Sequence, residues 1–332
     1  MRFIRWFNQR SSCLQIVAVL GVCCFSCPHV FSQVPPPERN NIRSSPTSST
    51  QAFVEPLRPA NLRFESIDYP GALATRALGI NAQGVVVGSF DDNEDTHGFV
   101  LENGTFKTID VPGGSSTQIK CINARGEVVG FYYDSDSNLH GFYWFRGKFR
   151  TVDVPFSVET RAEGINNAGV ISGEYVDEQG NEHGYVLRDT EFKTIDVPNS
   201  FSTDAWMVSD DDWLTGDYST ATTVLAYVRN KRGSFLTLDI PGSFAASARS
   251  INDRHEVVGR WDDNSVPGDP NACATQCHGF YWRGGHSTDI RFPGAAYTIA
   301  LGINDSTHIV GRYVDRLNNE HGFIARPKDD LE

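Results

Sequence analysis

The chain has 332 residues, of which 39% are hydrophobic and 21% charged, a composition typical of globular proteins. Its formal charge of −12 argues against nucleic acid as a partner, because phosphates need a basic surface. The sequence contains no phosphate-binding loop, no dinucleotide fingerprint and no Gly-x-Ser-x-Gly motif, so it lacks the common signatures of nucleotide-dependent enzymes and serine hydrolases.

Residues 1–32 have the pattern of a secretory signal peptide. Three arginines lie in the first ten residues, an apolar run covers residues 14–25, and small residues precede a cleavage site before Gln33. The run is too short to predict a membrane span. We therefore expect a secreted, periplasmic or cell-surface protein, and lipidation of Cys27 stays open as an alternative.

Residues 33–63 are rich in Pro, Ser and Asn and have few apolar side chains. Such a segment buries too little apolar surface to offset the entropy lost on ordering. It is predicted to be a flexible linker.

A seven-residue motif then organises the chain. Its forms are FESIDYP at 64–70, FKTIDVP at 106–112, FRTVDVP at 149–155, FKTIDVP at 192–198, FLTLDIP at 235–241 and a distorted STDIRFP at 287–293. Most copies are 42 or 43 residues apart, while the last step of 52 contains an insertion. A period of this size indicates a repeat protein.

Each repeat also contains an Ile-Asn segment, a Val-Val-Gly segment and a His-Gly-aromatic segment, and the fourth copy has Val208-Ser209 and Ala226-Tyr227 instead of the first and third. Four short β-rich segments in about 43 residues match one propeller blade. We predict an all-β, six-bladed β-propeller of four-stranded blades over residues 64–327, followed by a tail at 328–332. The Ile-Asn strand should be innermost and the FxxIDxP strand outermost, and the first FxxIDxP strand should complete the last blade and close the ring circularly.

These repeats resemble the HAF-type extracellular repeat family of bacteria. The pattern is carried by segments such as Gly164–Gly173, His183-Gly184-Tyr185 and Phe192–Pro198, and it covers nearly all of residues 64–325. The resemblance implies a secreted, propeller-like repeat protein, and it implies no defined activity.

One histidine and one aspartate recur in most repeats. Residues repeated once per blade are expected to make the same structural hydrogen bond in every blade rather than to form one catalytic centre. The two sets are His97, His140, His183, His278 and His321, and Asp68, Asp110, Asp153, Asp196 and Asp239.

The fourth repeat collects residues that the others lack. Asp211 and Asp212 are candidate catalytic carboxylates, and Trp206 and Trp213 are candidate sugar-stacking residues. The alternative interpretation is a blade whose pattern has drifted. On the predicted inner strands, Lys120, Arg161 and Arg249 vary in charge and are candidates to bind a small anion or a glycan.

Two further interpretations concern metal and thiol chemistry. Asp134, Asp136 and Asn138 weakly resemble the start of a calcium loop, although the characteristic glycine and glutamate are missing, so we expect no cofactor and leave calcium open. Cys273 and Cys277 are predicted to form a local disulfide in an oxidising compartment.

Together these patterns predict a monomeric, non-catalytic binding protein of the cell exterior, with an extracellular glycan or a protein as its ligand. The alternative is a hydrolase or lyase that acts on extracellular polysaccharide from a propeller scaffold.

Overall fold

The computed structural model describes residues 61–263 and 277–328. The predicted signal peptide, the linker up to residue 60, Cys273 and the end of the tail lie outside these residues. No helix in the described ranges has the length and hydrophobicity that a bilayer crossing requires.

The described residues form 24 strands, β1 (Leu62–Ile67), β2 (Ala74–Ile80), β3 (Val86–Asp91), β4 (Thr96–Glu102), β5 (Thr105–Ile109), β6 (Ser115–Ile122), β7 (Val128–Tyr133), β8 (Leu139–Phe145), β9 (Lys148–Val152), β10 (Ser157–Ile165), β11 (Ile171–Asp177), β12 (Glu182–Arg188), β13 (Glu191–Ile195), β14 (Ser202–Val208), β15 (Leu214–Ser219), β16 (Val224–Arg229), β17 (Phe235–Thr237), β18 (Ala245–Ile251), β19 (Val257–Asp262), β20 (Cys277–Arg283), β21 (His286–Ile290), β22 (Tyr297–Ile303), β23 (Ile309–Val314) and β24 (Glu320–Pro327). The protein is a β-propeller of four-stranded blades. Strand orders such as β10-β11-β12-β13 confirm that the Ile-Asn strand is innermost and the FxxIDxP strand outermost.

The strand pairing does not reproduce six separate sheets. Four sheets of four strands stand apart, while the remaining eight strands form one sheet. The eight-stranded sheet is joined by a single parallel pair, Ala74 with Glu320, between β2 and β24. The Arg76–Glu320 ion pair, at 2.7 Å, lies at the same point and holds the two edges together.

The N-terminal strand β1 completes the set of strands at the C-terminal end. It pairs antiparallel with β24, from Leu62 opposite Pro327 to Ile67 opposite Gly322. This is the pairing that the phase of the repeat predicts. It leaves β24 with a neighbour on its outer side.

Buried asparagines form five links between successive inner strands. The amide Nδ2 of Asn81 donates to the backbone oxygen of Asn123, Asn123 donates to Asn166, and Asn166 to Ser209, over 3.0–3.1 Å. Asn252 donates to Asn304 and Asn304 back to Asn81, at 3.0 and 2.9 Å. The series therefore returns to its start, and its one missing link lies between Ser209 and Asn252, because serine has no amide.

Where this link is missing, residues particular to the fourth repeat contact the fifth repeat. His255 Nε2 lies 2.9 Å from Asp211 Oδ2, and its ring lies 4.3 Å from that of Trp213. The strand register also changes which residue of the fourth repeat is equivalent to the recurring histidine. Leu225 pairs with Tyr218 as His97 pairs with Phe90. The equivalent residue is therefore Leu225 and not Ala226.

Ser209→Asn should supply the missing amide link to the backbone oxygen of Asn252. We expect the free energy of unfolding to rise by about 1 kcal/mol, as for a typical buried hydrogen bond, whereas Asn123→Ala should lower it by about 2 kcal/mol. Urea denaturation with a common m value measures both. A destabilised Ser209→Asn variant would contradict this account of the missing link.

Candidate functional site

A β-bulge in each inner strand directs one residue toward the axis. In β14, Ala205 pairs with Gly216 and Met207 with Thr215, which leaves Trp206 as the extra residue. Such an extra residue is re-aimed out of the regular ladder. The equivalent residues of the six inner strands line one axial pocket, and they are Leu78, Lys120, Glu163, Trp206, Arg249 and Leu301.

The axial pocket holds two cations and one carboxylate. Lys120 Nζ lies 3.0 Å from Glu163 Oε2, and the Glu163 side chain is only 3% exposed. Burial raises the pKa of Glu163, and the charge of Lys120 opposes that shift. Lys120 is therefore partly neutralised within the pocket.

Arg249 has no such counter-charge among the described residues. Its guanidinium carbon lies 3.6 Å from the centre of the Trp206 ring, a cation–π contact. Its Nε is buried and has no hydrogen-bond partner in the described part of the chain. The pocket thus contains a guanidinium that has no ion-pair partner among the described residues.

Three carboxylates meet beside the axial pocket, where the β10–β13 sheet faces the β14–β17 sheet. We call them the acidic cluster: Glu174, Glu182 and Asp204, each with an oxygen within 4.8 Å of the others. Arg161 Nη1 donates to Glu174 Oε1 at 2.5 Å. Oδ1 of Asp204 is buried, and no donor among the described residues reaches it.

The acidic cluster is electrostatically unfavourable when fully ionised. Burial and the neighbouring charge of Glu174 raise the pKa of Glu182 to about 7. Burial, then the charges of Glu174 and Asp217, raise the pKa of Asp204 well above its ordinary value. The two carboxyls are thus held toward the neutral form unless a cation joins them.

The sequence candidates divide between this region and the turn that follows β14. Lys120, Trp206 and Arg249 lie together in the axial pocket, and Arg161 contacts the acidic cluster. Trp213 instead lies beyond the end of β14, in the turn toward β15.

The two candidate catalytic aspartates lie in that same turn and do not face each other across a pocket. Asp211 contacts His255, and the exposed Asp212 forms an ion pair with Arg188 at 2.5 Å. Both carboxylates have structural partners, and neither belongs to the acidic cluster.

The recurring histidines and aspartates contact each other within blades. Nδ1 of His97 lies 2.9 Å from Asp110, that of His140 2.8 Å from Asp153, and that of His321 2.7 Å from Asp68. His183 and Asp196 lie 3.1 Å apart in the same way. Asp239 has leucine in place of a histidine partner.

Around His278 the arrangement differs. The motif aspartate is replaced by Arg291, and the histidine lies 3.9 Å from Asp263. Burial and the charge of Arg291 lower the pKa of His278. The fifth copy of the pair therefore has altered electrostatics.

The proposed calcium loop is closed by its own hydrogen bonds. Oδ1 of Asp134 accepts the backbone N–H groups of Asp136 and Asn138, and Oδ2 accepts the Asn138 side chain and contacts His140. Equivalent bonds around Asp177, from the side chain and backbone of Asn181, lower the pKa of Asp177 to about 2. This pattern is that of an Asx turn.

The sequence does not mark the acidic cluster as a unit. Glu174, Glu182 and Asp204 lie in three different strands, β11, β12 and β14. Their proximity depends on which positions of adjacent repeats meet, and only the strand register gives that.

Comparison with solved structures supports the fold. The structure of putative TolB from Agrobacterium tumefaciens has a TM-score of 0.52 at 9% identity, over 75% of this chain and 89% of that chain. A streptogramin B lyase gives 0.48 at 11% identity, over 81% and 99%. An Aleuria aurantia lectin mutant in complex with alpha-methyl-L-fucoside gives 0.48 at 13%, over 78% and 98%. The TolB similarity, at 9% identity, concerns the fold alone, and the two lower TM-scores support no conclusion.

Comparison with protein-family models and with curated protein sequences finds no match.

An NMR titration should separate the histidines. Burial alone would lower the pKa of His97 and His140, but their hydrogen bonds and charge pairing with Asp110 and Asp153 outweigh it and raise the pKa of both. His278 should titrate below them, and Arg291→Asp should move it upward. Because the folded-state pKa of His140 is raised, its stabilising contribution is present below the unfolded pKa of about 6.5 and is lost as the pH rises through the folded value. A His278 midpoint at or above that of His140 would contradict this assignment.

Glu182→Gln should change the pH dependence of stability in the presence of chelator. The folded-state pKa of Glu182, about 7, lies above its ordinary value of 4.5, so the wild type loses stability as the pH rises between these values. The variant should match the wild type near pH 4.5 and exceed it by about 1–2 kcal/mol at pH 8, allowing for solvent screening. Urea denaturation at both pH values measures this, with exposed Glu178→Gln as the control. Equal curves for wild type and Glu182→Gln would exclude the shift.

Proposed function

We propose that this protein is a secreted, non-catalytic binding protein that holds a small anionic ligand, such as an acidic sugar, in its axial pocket. The observation that carries the proposal is Arg249, which stacks on Trp206 at 3.6 Å and has no ion-pair partner among the described residues. A guanidinium presents its donors in a planar fork that matches a carboxylate.

The charge of the axial pocket supports an anion. Lys120 and Arg249 oppose the single carboxylate of Glu163, so the lining carries a net charge of +1 when all three are ionised. The ligand is small because the side chains of six strands converge there. Its affinity should come mainly from Arg249, since Lys120 is already engaged.

The same proposal includes three further points: the protein is secreted, it belongs to the HAF-type repeat family, and its propeller has six blades. The N-terminal pattern supports export, and the G-I-N, H-G-F and F-x-T-I-D-V-P segments support the family. We interpret the eight-stranded sheet as two blades that touch at one residue pair, which gives six blades, consistent with six bulged inner strands.

A polysaccharide-acting enzyme is the second candidate. Canonical glycoside hydrolysis uses one protonated and one ionised carboxyl across the scissile bond. In the acidic cluster, Glu182 and Asp204 both have a raised pKa, and Glu174 is engaged by Arg161. This set lacks a free ionised carboxylate, so binding is the better supported function.

Isothermal titration calorimetry tests the proposal with an oligogalacturonate, a neutral oligosaccharide of equal length and inorganic phosphate, all in chelator. We expect the acidic ligand to bind, and Arg249→Met to weaken it at least tenfold. Arg150→Met is the matched control, because Arg150 is exposed and lies over Tyr143 at 5.1 Å on an outer strand.

Two results would overturn the proposal. One is equal binding of the acidic and the neutral oligosaccharide, and the other is unchanged affinity in Arg249→Met. Product release from the bound oligosaccharide, in a parallel assay for reducing ends, would replace it by the enzymatic alternative.

A further inference from the structure

The three positions of the acidic cluster recur at the other sheet junctions. Glu174 pairs with Arg161 as Arg312 pairs with Ile299, and Glu182 pairs with Val176 as Glu320 pairs with Val314. Asp204 lies in β14, the inner strand of the next sheet, at the position that Arg76 occupies in β2. The junction of β22–β24 with β2 therefore provides an internal comparison.

At that comparison junction, two cations surround one carboxylate. Glu320 forms ion pairs with Arg76, at 2.7 Å, and with Arg312. The same three positions in the acidic cluster all carry carboxylates. Two guanidinium groups thus occupy these positions at the comparison junction, whereas the acidic cluster has carboxylates at the same two positions.

The surrounding residues do not supply that charge. Arg161 is the only cation that contacts the cluster in the described chain, and it also lies 3.4 Å from Glu159. The adjacent Asp217 carboxylate accepts the Trp206 indole N–H at 2.7 Å and the Ser247 hydroxyl, and it adds further negative charge. Oδ1 of Asp204 remains buried without a donor.

We propose that Glu174, Glu182 and Asp204 bind a hard divalent cation of the size of calcium. Calcium takes oxygen ligands at about 2.3–2.6 Å, so two ligand atoms can lie up to about 5 Å apart across the ion. The three carboxylates have oxygens within 4.8 Å of one another, so small side-chain movements would bring all three onto one ion. Magnesium usually keeps several waters and is bound through one or two carboxylates, so a cluster of three carboxylates favours calcium.

This site is separate from the anion-binding function and from the loop at Asp134. The axial pocket carries net positive charge, whereas the cluster carries up to three negative charges against one arginine. The Asp134 carboxylate is already occupied by backbone and side-chain donors. Carboxyl groups must be ionised to bind metal, so binding by the cluster should weaken as the pH falls.

Calorimetric titration of the chelator-treated full chain with calcium chloride, and separately with magnesium chloride, tests the site. We expect one calcium per chain, at least tenfold weaker magnesium binding, and a higher melting temperature in calcium. Asp204→Asn and Glu182→Gln should each weaken calcium binding at least tenfold. Asp134→Asn is the control and should bind calcium as the wild type does.

The variants remain interpretable without metal. Because each removes like-charge repulsion, Asp204→Asn and Glu182→Gln should be at least as stable as the wild type in chelator at pH 8, which shows that they fold. No saturable calcium binding by the wild type at millimolar concentration would overturn the proposal. So would calcium binding that survives both variants but is lost in Asp134→Asn.

Discussion

The structure depends on a steric constraint where each inner strand meets its neighbour. A Cβ atom added to the central glycines Gly88, Gly173 or Gly216 would lie 1.9 Å from a carbonyl oxygen of the inner strand. Only glycine leaves room for the backbone to approach so closely beside the β-bulge. The bulge in turn directs one side chain per inner strand toward the axis. The central glycine of each repeat thus permits the close approach beside the bulge that directs a side chain into the axial pocket.

The repeated residues hold the ring together, and the unrepeated ones fall into two groups. Trp206, Arg249 and the acidic cluster give individual junctions their own chemistry. Asp211 and Trp213 instead contact His255 where the asparagine series lacks a link. The residues particular to the fourth repeat therefore also make contacts at the junction that has no asparagine link.

Much of the fold could be predicted from the sequence, because local patterns determine it. The strand order, the role of β1 and the contact of His140 with Asp153 follow from a repeat read in phase. The acidic cluster could not be predicted, because Glu174, Glu182 and Asp204 come from three strands in two repeats. Its charge imbalance appears only when equivalent junctions are compared. The partners of Asp211 and Asp212, which are His255 and Arg188, lie in neighbouring repeats, and the sequence alone does not bring them together.

The pairing of β1 with β24 has a mechanical consequence. Residues Leu62 and Pro327 lie side by side at one end of this antiparallel pair. A pulling force applied between the two ends would load the hydrogen bonds one after another, starting from Leu62–Pro327, rather than all at once in shear. When the two ends are pulled apart, the strand that completes the ring should therefore be the first to detach.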